Sequence, residues 1–386
     1  MHEIIPIIEM IILLVSIFFC LTTISNLLTF KKPHKELIQK LQPSVDILIP
    51  SRNEEKSISK CLDSLLKQTY SNMNILVLDD QSTDNTASIV KNYVTKHNHV
   101  KLIKGKNIPE GWLGKNWACQ QLGEIASSDL ILFSDADTCF EKDLIENTIN
   151  LITNKQIDFI TLIPRRETQS IFVKITLSFI DWFIIACLPK IVCEKLSFQS
   201  LSIAFGQFML IKRKTYEKIK GHETFKNSAV DDIELGRLVK KEHFSWRIYN
   251  GTNAVRTTMY KNTKELTEGL TKNIYPSFGY HITLFLITWI IVALISMMPL
   301  LSILINFLQL TDDLFSYPLS IISILLMFST WIVSLSINSQ SKWLAFTYPI
   351  SFGMILYLGL KSLFLCISGK TTWKNRTLTK HPNHFF

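Results

Sequence analysis

Cysteine is used sparingly in this chain, and without pattern. Its 386 residues contain seven cysteines (Cys20, Cys61, Cys119, Cys139, Cys187, Cys193 and Cys366), with no C-x-x-C spacing and no Cys/His cluster. Neither a zinc site nor a disulfide frame is signalled, and the thiols read as reduced packing residues of a cytosolic face. There is no internal repeat and no low-complexity linker. The net charge of +9 comes without a nucleic-acid recognition module or an interleaved aromatic and basic patch, so nucleic acid is not an expected partner. That charge suits an anionic membrane leaflet, where each nearby Lys or Arg contributes on the order of 1 kcal/mol. A cleaved leader would carry charge before its apolar run and a small-residue cleavage site after it, and neither is present.

What the chain has in abundance is apolar surface, at 47% of residues. Residues 4–30 are almost wholly apolar apart from Glu9 and a few hydroxyl or amide groups, long enough to span a bilayer. Lys31, Lys32, Lys35 and Lys40 follow and place that end in the cytoplasm by the positive-inside rule. Three further spans are expected at 282–305, 318–337 and 343–367. The expected division is therefore a transmembrane helix at 1–30, a cytoplasmic catalytic domain at 31–275, three transmembrane segments at 276–367 and a basic tail at 368–386, in a multi-pass protein of the inner cell membrane. One count disturbs it: four spans would leave the tail outside, yet it carries Lys370, Lys374, Arg376 and Lys380. Either one C-terminal segment is re-entrant, or residues 171–211 enter the membrane, or the charge rule fails. Residues 171–191 are apolar but interrupted by Lys174, Asp181 and Lys190, the pattern of an interfacial helix or pair; the alternative is a core helix of the catalytic domain. No charge sits deep in the C-terminal spans to mark a transport path.

The stretch 43–260 reads as α/β. Residues 45–50, V-D-I-L-I-P, form a strand stopped by proline, and S-R-N-E-E opens a helix running to about residue 68. A second strand, 74–78, ends in Asp79 and Asp80, and Ser82 or Thr83 is the expected cap of the next helix. A short strand at 100–103 and a helix at 115–126 lead to Leu130-Ile131-Leu132-Phe133, a run apolar enough to be buried on both faces, which stops at Asp135 and Asp137. Steady alternation of strand and helix predicts a mainly parallel sheet, whose ligands bind beyond the carboxyl ends of the strands. Two acids one residue apart repel each other unless a cation joins them. A divalent metal, Mg or Mn, would serve and could carry a phosphorylated ligand; the plainer reading is an Asp-rich turn. Acid pairs on two strands, with Arg52 and Lys115 in loops at the same edge, supply the charges a nucleotide diphosphate and its metal need.

The motif order I-P-S-R-N-E-E, V-L-D-D-Q-S-T-D-N-T, G-K-N-W-A-C, F-S-D-A-D-T and V-D-D-I-E-L-G-R resembles the inverting family 2 glycosyltransferases over residues 43–275. The wording G-W-L-G-K-N-W-A-C with G-H-E-T-F-K-N-S-A-V-D-D is most similar to membrane-bound enzymes that glycosylate carotenoid or hopanoid-type lipids. The resemblance implies a GT-A-like nucleotide-sugar-binding domain between terminal transmembrane helices. It implies that Asp80 hydrogen-bonds the uracil ring while Pro50 and Arg52 line its pocket, and that Lys115 contacts phosphate. Asp135 and Asp137 match the D-x-D motif: the second acid mainly holds the metal, and the first contacts ribose or metal. Asp232 stands in the general-base position, with Asp231 beside it contacting substrate. Plainer readings are helix capping for Asp80, with Asp79 and Asp84 the structural members, a solvated lysine for Lys115, and an acidic complement to a helix N-terminus for Asp231 and Asp232. Gly206 and Gln207 fall where the family has an acceptor-side loop, though a strand with a glycine bulge also explains them. The Q/R-x-x-R-W motif of processive synthases is missing from G-L-T-K-N-I-Y-P at 269–276, which disfavours a polymer-extruding enzyme; Lys272 is a candidate replacement. The implied function is transfer of one sugar from a UDP-linked donor to a membrane lipid hydroxyl. The alternatives are a polyprenyl-phosphate sugar synthase and a non-catalytic membrane scaffold.

Overall fold

The computed structural model describes residues 4–33, 42–308, 316–373 and 376–377; Lys35, Lys40, Lys374 and Lys380, used above for topology, lie outside the described residues. In chain order the elements are α1 (Ile4–Thr29), β1 (Val45–Ser51), α2 (Ile58–Leu66), β2 (Met73–Asp79), α3 (Thr86–Val94), β3 (Val100–Lys104), α4 (Gly114–Ile125), β4 (Leu130–Phe133), β5 (Thr138–Phe140), α5 (Leu144–Asn154), β6 (Phe159–Ile163), β7 (Arg165–Arg166), α6 (Ile171–Cys187), α7 (Lys190–Lys195), β8 (Met209–Lys212), α8 (Arg213–Lys218), α9 (Asp231–Lys241), β9 (Trp246–Asn250), β10 (Val255–Thr257), α10 (Thr263–Asn273), α11 (Ile282–Phe307), α12 (Tyr317–Ile337) and α13 (Tyr348–Ile367). The described chain falls into two compact units, one within Phe30–Glu167 and Val192–Met259, the other within Met1–Thr29, Thr168–Ile191 and Tyr260–Phe386. Residues 168–191 and 260–275 therefore group with the long helices, whereas the sequence pattern placed them in the 31–275 domain.

The first unit is built on a seven-stranded sheet of order β3-β2-β1-β4-β8-β6-β9. β8 pairs antiparallel with both β4 and β6, and every other pair is parallel. The central strands are apolar runs because both faces are covered: Ile47, Leu48, Ile49, Ile131 and Leu132 are fully buried. Asp46 interrupts β1, and its buried carboxylate accepts from Ser127 N–H at 2.7 Å, Ser128 N–H at 2.9 Å, the Ser128 hydroxyl at 2.7 Å and Asn74 Nδ2 at 2.9 Å. Burial alone would raise its pKa, but these donors outweigh it and hold the group below the usual carboxylate range. The acid thus ties β1 to β2 and to the entry of β4.

The cap expected for the helix after β2 is not there. α3 begins at Thr86, and it is Asp84 whose Oδ1 accepts the Thr86 N–H at 3.0 Å and hydroxyl at 2.5 Å. Ser82 and Thr83 instead meet Asn53, whose N–H donates to the Ser82 hydroxyl at 3.0 Å and whose Oδ1 accepts the Thr83 N–H at 2.9 Å. Pairing between the two strand-end loops has displaced local capping.

Among the described residues of the second unit, four helical stretches are long and apolar enough to cross a membrane: Ile4–Thr29, Ile282–Phe307, Tyr317–Ile337 and Lys342–Ile367. α6 packs among them and not in the core of the sheet. Trp182 stacks on Trp331 with ring centroids 5.8 Å apart and planes 10° from parallel, and its Nε1 donates to the Thr330 hydroxyl at 2.9 Å. Asn26 of α1, fully buried, closes the break after α6: its Nδ2 donates to the Ile185 and Leu188 carbonyls, both at 2.8 Å, and its Oδ1 accepts Lys190 N–H at 2.9 Å. Glu9, also buried in α1, accepts the Ser316 N–H at 3.2 and 3.0 Å and the Ser302 and Ser320 hydroxyls at 3.4 and 3.3 Å. A carboxylate from one helix thereby caps the first turn of α12. Glu9→Ala leaves the Ser316 N–H and the Ser302 hydroxyl without this acceptor, while the Ser320 hydroxyl keeps Ser302 Oγ at 2.8 Å, and is expected to cost about 1–3 kcal/mol. Thermal unfolding in detergent checks this, with Glu9→Gln, which keeps one acceptor oxygen, expected to lose less.

Candidate active site

The carboxyl ends of β1, β2 and β4 lie side by side, because β1 pairs with both neighbours, Ser51 standing opposite Asp79 and Leu48 opposite Phe133. Two groups of side chains form there. In the first, Asp80 leaves β2 with its N–H donating to Ser51 O at 2.8 Å, and Arg52 Nη1 donates to the carbonyls of Asp80 at 2.7 Å and Gln81 at 3.2 Å. Pro50 stands opposite Leu78 in the same ladder. Pro50, Arg52 and Asp80 therefore meet at adjoining strand ends, and Asp80 is buried.

The second group is organised by Lys115, the second residue of α4. Its Nζ lies 2.9 Å from Asp135 Oδ1 and 3.2 Å from Asp231 Oδ2. Gln207 Nε2 donates to Asp135 Oδ2 at 2.9 Å, and the N–H of Gly206 donates to Asp232 Oδ2 at 3.2 Å. One ammonium thus joins Asp135 to Asp231, and one dipeptide joins Asp135 to Asp232. Gly206 packs closely against the cluster: a Cβ there would stand 3.2 Å from both Asp135 Oδ2 and Lys115 Nζ, so those side-chain ends would have to give by a few tenths of an ångström. Asp232 also serves its own helix, since its Oδ1 accepts Ile233 N–H at 2.8 Å, so the helix-terminus reading and the clustered position are both met. Asp137 follows two residues after Asp135 and is half-buried, with Thr138 N–H donating to Asp135 O at 3.2 Å.

These positions set the electrostatics. Burial works to lower the Lys115 pKa, but Asp135 and then Asp231 outweigh it and hold the ammonium well above its ordinary value. Asp232 is driven the other way: burial first, then the Asp231 charge, raises its pKa to about 6 against the pull of Lys115 and the Ile233 N–H. Asp135 and Asp137 are hard oxygen donors, the set that magnesium and manganese take, and Asp135 keeps lone pairs beyond the one contact made to each of its oxygens.

Sequence patterns missed part of this arrangement. Asn116 is buried beside Lys115, and its Nδ2 donates to the carbonyls of Phe225 at 3.0 Å, Lys226 at 3.2 Å and Ser228 at 2.9 Å, fastening the segment that leads to Asp231. G-K-N-W-A-C and G-H-E-T-F-K-N-S were visible as motifs, but no spacing shows that one anchors the other.

The family model described as Glycosyl transferase family 2 matches residues 46–220. Those residues form a family 2 glycosyltransferase domain. The chain is 27% identical over 254 residues to 4,4'-diaponeurosporenoate glycosyltransferase of Staphylococcus haemolyticus, covering 64% of this chain and 66% of that protein. It is 28% identical over 240 residues to the protein of that name from Staphylococcus aureus, covering 61% and 62%. The match thus spans slightly less than two thirds of these relatives. Among solved structures, the mannosyltransferase PcManGT from Pyrobaculum calidifontis, in complex with GDP-Man and Mn2+, is similar over 94% of this chain and 98% of its own, with a TM-score of 0.55 and 12% identity. The fold of the family 2 domain is GT-A-like, with a mainly parallel sheet, and apolar helices stand at both ends of the chain, as the motif order implied.

Lys115→Met would leave Asp135, Asp231 and Asp232 facing one another without their cation. The repulsion exists only while the acids are ionised, so the variant's thermal midpoint is expected to fall by roughly 2–8 °C at pH 8 and by much less at pH 5. Unfolding curves across that range, beside the unsubstituted protein, check the prediction.

Proposed function

We propose that this chain is a membrane-associated inverting glycosyltransferase that moves one sugar from a UDP-linked donor to a carotenoid-type lipid hydroxyl, with Asp232 as general base. The observation that carries the reading is the single network in which Lys115, Gly206 and Gln207 bind Asp135, Asp231 and Asp232 together. It brings the donor-side acid of the D-x-D motif to the acid pair that an acceptor needs. The relatives' names support a carotenoid lipid as acceptor, and PcManGT, solved with GDP-Man and Mn2+, supports a nucleotide-sugar and a divalent ion.

In this reading Asp80 accepts the imide N–H of uracil, with Pro50 and Arg52 along the ring. Lys115 meets the diphosphate at the start of α4, where the helix N–H groups already favour anions. Asp135 and Asp137 would hold a divalent metal, Mg or Mn, whose charge offsets that of the departing diphosphate. Asp232 takes the hydroxyl proton as the lipid oxygen attacks the anomeric carbon from the side opposite the diphosphate. A carboxylate raised to about 6 is ionised at neutral pH yet basic enough to accept that proton. Lys31 and Lys32 beyond α1 favour a multi-pass protein of the inner membrane with its catalytic domain in the cytoplasm.

The relatives' name also supports a second reading. Their named compound is a carboxylate, and an acceptor carboxylate carries no proton for a base to remove. Asp232→Asn separates the two. With a hydroxyl acceptor the variant is expected to lose about 10²–10⁴-fold in activity, and kcat/KM of the unsubstituted enzyme to fall about tenfold per pH unit below about 6. Retained transfer, to a lipid acid or a lipid phosphate, would remove Asp232 as base. Incubating membranes with labelled UDP-sugars and identifying the labelled lipid is expected to give one monoglycosylated product, and Asp137→Asn to abolish it. Full transfer in a chelator would contradict the metal assigned to Asp137.

A further inference from the structure

Two groups of buried polar side chains lie outside that mechanism. Cys119, His222 and Asp231 bring a thiol, a ring nitrogen and a carboxylate oxygen within 4.8 Å of one another, but Asp231 already belongs to the Lys115 network. The other group stands among the long helices, around Glu9 in the second turn of α1.

Serines supply most of it. Ser316 at the start of α12, Ser320 and Ser323 recur at i, i+4 and i+7, which puts them on one helix face. Ser302 of α11 joins them. The Ser320 hydroxyl donates to Ser302 Oγ at 2.8 Å and to Glu9 Oε1 at 3.3 Å, so in each contact Ser320 is the donor and its oxygen keeps its lone pairs. Beside these groups is a cavity of about 10 Å³, lined by Glu9, Ser320, Ser323 and Pro299 and otherwise by apolar side chains. That is room for one water-sized particle. It lies where Pro299, which has no N–H, interrupts the hydrogen-bond ladder of α11.

Two features of the lining point to a ligand. Ser323 is 3% exposed, and among the described residues its hydroxyl makes no hydrogen bond. Other serines of these helices return theirs to a carbonyl one turn back, as Ser296 does to Val292 O at 2.8 Å and Ser336 to Ile332 O at 2.7 Å. Glu9, also buried, makes no ion pair among the described residues, and hydrogen bonds alone offset its charge. A carboxylate in apolar surroundings is costly without a positive partner.

We propose that this cavity binds one monovalent alkali cation, held by Glu9, Ser320 and Ser323. The donors are hard oxygens, which suit hard cations and not zinc or copper. One carboxylate balances one positive charge. The space takes a single particle, whereas magnesium keeps several waters and calcium takes about six to eight oxygens. The ion joins α1 to the second turn of α12, one turn beyond the cap that Glu9 already makes.

The test is thermal unfolding of the full-length protein in detergent, in sodium, potassium or choline chloride at equal ionic strength. Replacing choline by sodium or potassium is expected to lift the midpoint by about 2–4 °C along a saturating curve. Glu9→Gln is expected to remove the alkali response. Ser323→Ala should move it to several-fold higher concentration while changing the midpoint in choline little. Ser336→Ala, on the same helix but exposed, should leave the response as it is. Equal midpoints in all three salts would overturn the proposal and give the cavity to water. An alkali response that survives both Glu9→Gln and Ser323→Ala would overturn it too, since the ion would then sit elsewhere.

Discussion

The Lys115 ammonium, 2.9 Å from Asp135 and 3.2 Å from Asp231, is the contact on which the site depends. Three carboxylates gathered at one sheet edge could not share that space ionised without a cation between them. They come from two kinds of support. Asp135 sits past the end of a buried strand, Asp231 and Asp232 begin a helix, and Lys115 lies in the first turn of another helix. The lysine keeps 38% of its side-chain exposure, so water still reaches it. A cation both paired and partly wet can exchange partners, which a fully enclosed one could not do without a large desolvation cost.

The same economy of polar groups recurs elsewhere in the chain. In the sheet unit, Asp46 is spent on Ser127, Ser128 and Asn74, fixing how β1, β2 and β4 begin so that their far ends align. In the helical unit, Glu9 and Asn26 cap or close chain breaks in other helices. Buried polar side chains in apolar surroundings are costly unless fully bonded, so each of these acts as a specific fastener. Apolar contact alone would tolerate sliding of one helix along another; a carboxylate that must meet one backbone N–H does not.

The sequence pattern located β1, β2, β3 and β4 within a residue, because their signals are local: short, mostly apolar stretches closed by Pro, Asp or Gly. Ser82 and Thr83 were misassigned as caps since nothing near them in sequence announces Asn53 as a competitor. Residues 171–191 carry three charges in an apolar stretch, which left their surroundings open, and the stacking of Trp182 on Trp331 places α6 among the long helices. His222 and Asn116 gave no signal of their own, as a histidine or an asparagine in a loop motif is ordinary until its partners are known.

The sequence by itself determined which residues are apolar enough to be strands or spans, and where acids and lysines interrupt them. It also carried the motif order by which the family is recognised. Only the tertiary structure decided that Lys115 stands between Asp135 and Asp231, that the Gly206 N–H meets Asp232, and that His222 lies buried beside Cys119 and Asp231. The physical reason is range. Hydrophobic pattern acts along a few turns of chain, whereas ion pairs, steric room and hydrogen-bond satisfaction are properties of groups that meet only after the sheet has brought distant segments to one edge.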